Sequence, residues 1–189
     1  MKILITGGKG QLGTELCKCF ERGHTELGTP EILKQSNEVR SIDVDELDIT
    51  DIKAVKALFE AEKYDAVINC AAYTNVDGCE THRDDAFKVN AIGPRNLAIA
   101  CEDIGAKLIH VSTDYVFPGN GSVPKTECDT PAPISAYGST KYLGEQYVRD
   151  FCSRYFIVRT AWLYGYYGKN FVKTIMNAAR KFGKLTVVN

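Results

Sequence analysis

Short apolar runs alternate with helical stripes along most of this chain, and that alternation constrains its fold more than any other feature. Lys2–Thr6 is an apolar run that breaks at glycines, which reads as a buried strand. Gly10–Arg22 carries Leu12, Leu16 and Phe20 at helical spacing. Glu38–Asp43 is a weaker strand. Asp51–Lys63 puts Ile52, Val55 and Phe59 on one helical face, with Thr50 expected as its cap. A strand at Asp65–Cys70 precedes a long helix, Arg83–Gly105, which must accommodate Gly93-Pro94. Lys107–Thr113 reads as a strand, Tyr137–Cys152 as a helix and Tyr155–Thr160 as a strand. Asn170–Gly183 reads as a helix whose last turn holds Arg180 and Lys181 ahead of a terminating glycine. A further strand is expected to begin at Lys184. Apolar strands that alternate with helices predict an α/β protein with a parallel sheet covered on both faces. Right-handed crossovers make that sheet doubly wound and Rossmann-like.

The bulk numbers exclude several classes. The 189 residues are 44% hydrophobic and 25% charged, ordinary for a globular chain with a sizeable core. A net charge of −1 gives no electrostatic case for nucleic acid or an anionic membrane surface. No apolar run approaches the roughly 20 residues of a spanning helix, and the apolar start of the chain is too short for a signal peptide. The seven cysteines are odd in number and form no C-x-x-C. They read as reduced thiols, and the expected location is the cytoplasm. Cys17 and Cys19 splay apart on a helix, and His24, His82 and His110 have no shared ligand spacing, so no metal site is expected.

The glycines at 7, 8, 10 and 13 fit either G-x-G-x-x-G from Gly8 or G-x-x-G-x-x-G from Gly7. They follow a strand and open a helix, the setting in which such a loop cradles a pyrophosphate; a tight strand–helix turn is the plainer reading. An acid ending the next strand would accept from adenosine ribose hydroxyls. Asp43 is the candidate, although it lies 30 residues beyond Gly13 rather than the roughly 20 of the usual fingerprint. An acid there favours NADH, while the neighbouring Arg40 leaves NADPH open. Asp48 is either an adenine-side contact or a turn residue leading into the helix.

Tyr137 and Lys141 are four residues apart and share a helical face. An aromatic and a charge on a half-exposed helix is the simplest account. The setting adds to it, because the pair follows a strand ending in Ser112, Thr113 and Asp114, and ligands of parallel sheets gather at such ends. A phenol ordinarily titrates near ~10. A nearby ammonium is expected to lower it, so that Tyr137 can protonate a carbonyl oxygen as hydride reaches the carbon. A hydroxyl from Thr113 would help place that oxygen.

The ordered series TGGKGQLG, ELDITD, VINCAAYTNVDGCE, AFKVNAIGPRNLA, HVSTDYVFPG, PISAYGSTKYLGE, IVRTAWLYG and NFVKTIM spans the whole chain. It resembles the extended short-chain dehydrogenase/reductase family and, within it, the dTDP-4-dehydrorhamnose reductases. The resemblance implies reduction of a 4-keto nucleotide sugar by NADH or NADPH, with a magnesium ion and a homodimer as further implied features. It assigns Gly7, Gly10, Gln11, Leu12 and Gly13 to the pyrophosphate and Asp43, with Asp48, to the adenosine side. Ala71, Ala72, Tyr73 and Thr74 would line the cofactor, with Tyr73 standing where some relatives carry histidine. Tyr137 would be the proton donor, Lys141 its partner on the nicotinamide ribose, and Thr113 the assisting hydroxyl. Thr113 and Asp114 would reach the sugar, and Trp162 would pack on it. Asn90 could tie its helix to the proton relay or be a structural amide. Asp77 and Glu80 read as a loop–helix junction, and Tyr115–Phe117 as packing.

The implied organisation is a dinucleotide-binding domain over 1–165 and the start of a substrate region over 166–189, with that second domain mostly absent. Two other readings remain. One is a non-catalytic, NAD(P)-binding regulatory subunit of the kind that resembles the methionine adenosyltransferase beta subunit. The other is a nucleotide-sugar epimerase or dehydratase, which shares the Tyr and Lys.

Overall fold

In the computed structural model, which describes residues 1–121 and 123–183, a parallel sheet runs in the order β2-β1-β3-β4-β5. The strands are β1 (Lys2–Thr6), β2 (Glu38–Ile42), β3 (Ala66–Asn69), β4 (Lys107–Thr113) and β5 (Tyr155–Thr160). Each matches its expected run, except that Asp43, Asp65 and Cys70 lie just outside the ladder. The strand expected from Lys184 lies outside the described residues.

β1 pairs with β2 on one side and β3 on the other. The chain therefore reverses its direction of winding between β1 and β3. In a doubly wound sheet that reversal opens a crevice at the carboxyl ends of the strands.

Helix α1 (Gln11–Arg22) makes the first crossover. A short α2 (Glu31–Lys34), which the sequence pattern does not announce, follows it before β2, and α3 (Ile52–Glu62) makes the second crossover. The cap of α3 is Asp51, not Thr50: its carboxylate accepts from the backbone N–H groups of Lys53 and Ala54. A carboxylate at that end also meets the positive helix terminus.

The long stretch expected at Arg83–Gly105 is helical throughout but changes geometry twice. It follows another short helix, α4 (Val76–Thr81), which holds the Asp77–Glu80 segment. α5 (Arg83–Phe87) passes into a π-helical turn at Lys88–Ile92 and then α6 (Gly93–Ile104). Pro94 has no N–H and would collide with a carbonyl inside a regular helix. The π turn solves this by placing Pro94 in the first turn of α6. Gly93 lets that turn press on Ile49, whose Cδ1 lies 2.5 Å from where a Cβ would stand.

α7 (Ala136–Phe151) is capped by Ser135, whose hydroxyl accepts from Gly138 N–H at 3.0 Å. α8 (Phe171–Phe182) is capped in the same way by Asn170.

The main buried cluster lies on one face of the sheet, while Ile3 and Ile5 of β1 are buried on the other. Leu4, Val67 and Leu108 meet Val55 and Phe59 of α3, Leu97 and Cys101 of α6, and Val148 of α7. Burial of one such side chain contributes about 1.5–3 kcal/mol. Crossover handedness puts α1 on the opposite face. All seven cysteines are free, and among the described residues no helix is long and apolar enough to cross a membrane.

Candidate active site

The glycine turn occupies the crevice between β1 and β3. Gly7 has φ +69°, and a Cβ there would lie 2.6 Å from the Ala71 nitrogen. The left-handed backbone and the neighbouring strand end thus both require glycine. Gly10 N–H donates to the Gly7 carbonyl at 3.1 Å. A Cβ on Gly13 would stand 2.8 Å from Gly8 Cα and closer still to the Gly7 oxygen. Gly7, Gly10 and Gly13 form the mutually packed set, which favours the G-x-x-G-x-x-G reading. Gly10 offers α1 no side-chain cap, which leaves first-turn amides free to meet an anion.

Asp43 sits beside this turn. Its Oδ2 accepts from Lys9 N–H at 2.9 Å and its Oδ1 from Val44 N–H at 2.8 Å. The carboxylate thus braces the glycine loop while it faces the crevice. Asp48 accepts from Thr50 N–H at 2.8 Å, a turn contact. Arg40 is paired with Glu62 at 3.2 Å, and it does not line the cavity.

On the other side, Ala71, Ala72, Tyr73 and Thr74 continue from β3. Asn90 holds this segment: its Oδ1 accepts from Tyr73 N–H at 2.8 Å, and its Nδ2 donates to the Tyr73 carbonyl at 3.1 Å. The same amide reaches the Thr140 hydroxyl at 3.3 Å. Asn90 is therefore a clamp between the π turn, the loop after β3 and α7. Its contacts are those of the structural alternative.

The proton-transfer candidates come from β4 and α7. Thr113 ends β4, donates to Asp114 Oδ1 at 3.1 Å and accepts from Tyr115 N–H at 3.2 Å. Tyr137 lies in the first turn of α7, with its ring edge-on to Tyr115 at 5.5 Å. Lys141, one turn on, is 2% exposed and donates from Nζ to the Val111 carbonyl at 2.7 Å.

The electrostatics differ from the sequence expectation. Burial pushes the Tyr137 phenol above its ordinary value, and the Thr113 hydroxyl only partly offsets this. The lowering expected from Lys141 is not what this arrangement produces, because the ammonium is turned to Val111. Burial also pulls Lys141 down to about 8, against an upward pull from Glu145 and Cys70.

Trp162 is 72% exposed, has φ +54° and stacks edge-on against Phe171 at 4.9 Å. Every residue expected at the site, from Gly7 to Trp162, borders one cavity of about 950 Å³. That is the upper part of the size range of small-molecule sites.

Sequence reasoning missed several supporting residues. Asn69 Oδ1 accepts from the Thr6 hydroxyl at 2.8 Å and Ala71 N–H at 3.1 Å, and its Nδ2 lies 3.0 Å from His110 Nδ1. The Ala71 contact fixes which way the amide points, so Nδ1 of His110 is the acceptor and Nε2 carries the proton. Glu15 on α1 accepts from Tyr166 N–H at 2.7 Å and Tyr167 N–H at 3.2 Å. It ties the segment after Trp162 across the glycine loop, and Lys169 joins the cavity wall. Apart from Asn69 with Ala71, these partners are dozens of residues apart, and no local pattern pairs them.

The sheet order, the glycine turn at its switch point and the cavity across the strand ends define a Rossmann-like nucleotide-fold protein. The family model described as RmlD substrate binding domain matches residues 1–189, and the chain belongs to that family. It is 37% identical to the dTDP-4-dehydrorhamnose reductase of Escherichia coli over all of its own length and 60% of that protein's. Among solved structures, a dTDP-4-dehydrorhamnose reductase from Clostridium acetobutylicum is 49% identical, with a TM-score of 0.87, over 96% of this chain and 60% of the other. The reductase from Bacillus anthracis, in complex with NADP, is 42% identical with a TM-score of 0.83, over 95% of this chain and 60% of that one. The chain thus spans about three fifths of the length of these relatives.

Proposed function

We propose that this chain carries the cofactor-binding and proton-transfer half of an NAD(P)H-dependent reductase that converts dTDP-4-dehydro-L-rhamnose to dTDP-L-rhamnose. On this reading residues 1–165 are the dinucleotide-binding domain and 166–189 begin the region that completes the sugar site. The observation that carries it is the convergence of Thr113, Tyr137 and Lys141 on the cavity that also holds the glycine turn.

The cavity fits a dinucleotide. A Cβ would fill the cradle at Gly7 and Gly13, the α1 N-terminus is uncapped, and Asp43 stands at the ribose position. Bound there, a reduced nicotinamide would supply the hydride for C4 of the sugar. First-turn amides of α1 hold the pyrophosphate. Asp43 accepts from the adenosine ribose hydroxyls. Lys141 has two ammonium protons beyond the one given to Val111, and these hold the ribose next to the ring. Tyr137 gives its phenolic proton to the O4 oxygen. The Thr113 hydroxyl donates to that same oxygen in place of its bond to Asp114. Trp162, exposed at the cleft rim, covers the sugar. Among the described residues no group of three His, Cys, Asp or Glu is gathered for a metal ion. A homodimer and a cytoplasmic location belong to the same reading.

The test is NADH and NADPH oxidation by the full-length protein with the keto-sugar nucleotide. Tyr137→Phe should lower turnover by about 10²–10⁴-fold with cofactor affinity kept. Full turnover by that variant would refute the mechanism. Cofactor binding with no turnover, and co-purification with a partner enzyme, would favour the regulatory-subunit reading. Interconversion of sugars without net cofactor consumption would favour an epimerase.

A further inference from the structure

Lys141 is a buried cation whose hydrogen bond goes to a neutral carbonyl, that of Val111. Such a charge needs a compensating one close by. One helical turn further along α7 stands Glu145, with no exposed surface at all. Yet Glu145 does not pair with Lys141. Both of its oxygens are taken by Arg159 of β5, Nε to Oε1 at 2.8 Å and Nη2 to Oε2 at 2.6 Å. Arg149, a further turn on, reaches Oε2 at 3.5 Å.

The fork of Arg159 is itself fixed. Its guanidinium lies over the Phe117 ring at 5.0 Å, just past the turn that carries Asp114 and Tyr115. Its backbone is next to Thr160, which lines the cavity. A bidentate, stacked arginine is rigid in a way that a lysine is not.

Accordingly we propose that Glu145 and Arg159 form a positioning pair for Lys141. The carboxylate keeps the buried ammonium charged, and the guanidinium occupies that carboxylate so that it cannot capture the lysine and draw it out of the cleft. This rests on the reading of Lys141 given above. The charged and titratable groups around Lys141 are Tyr137 and Glu145 on its own helix, His110 on β4 and Cys70 after β3. Those around Arg159 are Glu145, Tyr142 and Glu127. Glu145 is thus the anionic member of the set nearest the lysine.

The two partners have opposite signatures, which a merely structural ion pair lacks. With Glu145→Gln the lysine loses its counter-charge and gives up its proton more readily. The high-pH limb of kcat/KM should move down by about 1 pH unit. With Arg159→Met the carboxylate keeps only the half-exposed Arg149, at 3.5 Å, and captures Lys141. The limb should move up, and the Kd for NADH should rise about 10-fold. A Glu145→Leu/Arg159→Met double variant replaces the pair with apolar groups of similar volume, an exchange that folds tolerate. Its limb should move down as in Glu145→Gln. Measurements on the full-length protein decide it. Limbs that stay at the wild-type position in Glu145→Gln and in the double variant, or shifts of the same sign in the two single variants, overturn the proposal. Lys141→Met is the control. If it leaves turnover and NADH binding intact, the reading of the site fails; if it abolishes turnover while Glu145→Gln leaves the limb unmoved, only this inference fails.

Discussion

Gly13→Ala separates cofactor binding from folding. Gly13 lies in the first turn of α1 at an ordinary helical conformation, so a methyl group there meets no backbone strain. Alanine should even favour the helix by about 1 kcal/mol over glycine. Space is the difficulty. The added carbon would stand 2.8 Å from Gly8 Cα, short of an ordinary contact by about 0.7 Å, and nearer still to the Gly7 oxygen. Gly7 cannot retreat, because it already lies against the Ala71 backbone. The glycine turn must therefore lift as a unit. Overpacking of this kind costs about 1–3 kcal/mol, which the helix gain partly offsets. The net loss of stability should be about 1 kcal/mol. The loss in binding should be larger. On the proposed reading, displacing the turn misplaces the amides that would meet the pyrophosphate, each a charge-assisted bond worth about 1.5–3 kcal/mol. Kd for NADH should rise about 10–100-fold. Urea unfolding gives the first quantity and NADH fluorescence titration the second. A variant that unfolds like the wild type and binds NADH with unchanged affinity would show that this turn does not hold the cofactor.

Two further predictions concern pH. Lys141 titrates near 8 in the fold against an ordinary 10.5, so between those values the unfolded chain holds the extra proton and stability rises with pH. The gain should reach about 3 kcal/mol by pH 10.5. Cys70, pushed up to about 12, acts in the opposite sense, so the quantity to measure is the wild-type minus Lys141→Met difference in unfolding free energy; a flat difference would contradict the burial of a charged lysine. His110 is fully buried, and burial, with Lys141 nearby, holds its imidazole well below its ordinary value. The unfolded chain therefore takes up a proton below about 6.5 that the fold refuses, and stability falls as pH falls. One unit below that value the loss should be about 1.4 kcal/mol, seen in urea unfolding of the wild type and absent from His110→Gln.

The strands were legible because a buried parallel strand has to be apolar along its length, as Lys2–Thr6 and Lys107–Thr113 are. The glycine turn was legible because steric demand at Gly7 and Gly13 leaves no other residue type. Features decided by close competition were not. Thr50 and Asp51 are both good caps, and only the path of the chain selects Asp51. The π turn at Lys88–Ile92 arises from where Pro94 must fall, which depends on Gly93 meeting Ile49 from a distant segment. The direction of the Tyr137 shift depends on how deeply α7 seats against β4, a tertiary quantity. The pairing of Glu15 with Tyr166, or of Glu145 with Arg159, joins residues whose local sequence carries no sign of the partner.

The raised Tyr137 phenol has a consequence for the direction of the proposed chemistry. A base must give up its proton before substrate arrives, and burial opposes that here. A proton donor must still hold its proton at neutral pH, and burial secures it. The cleft thus holds the phenol in the form that reduction of a carbonyl requires, with Thr113 beside it as the second donor. Lys141 spends one ammonium proton on the Val111 carbonyl and keeps two for the ribose hydroxyls of the proposed cofactor. The fold arranges this by seating a lysine where a main-chain carbonyl anchors the ammonium and leaves donors for a ligand.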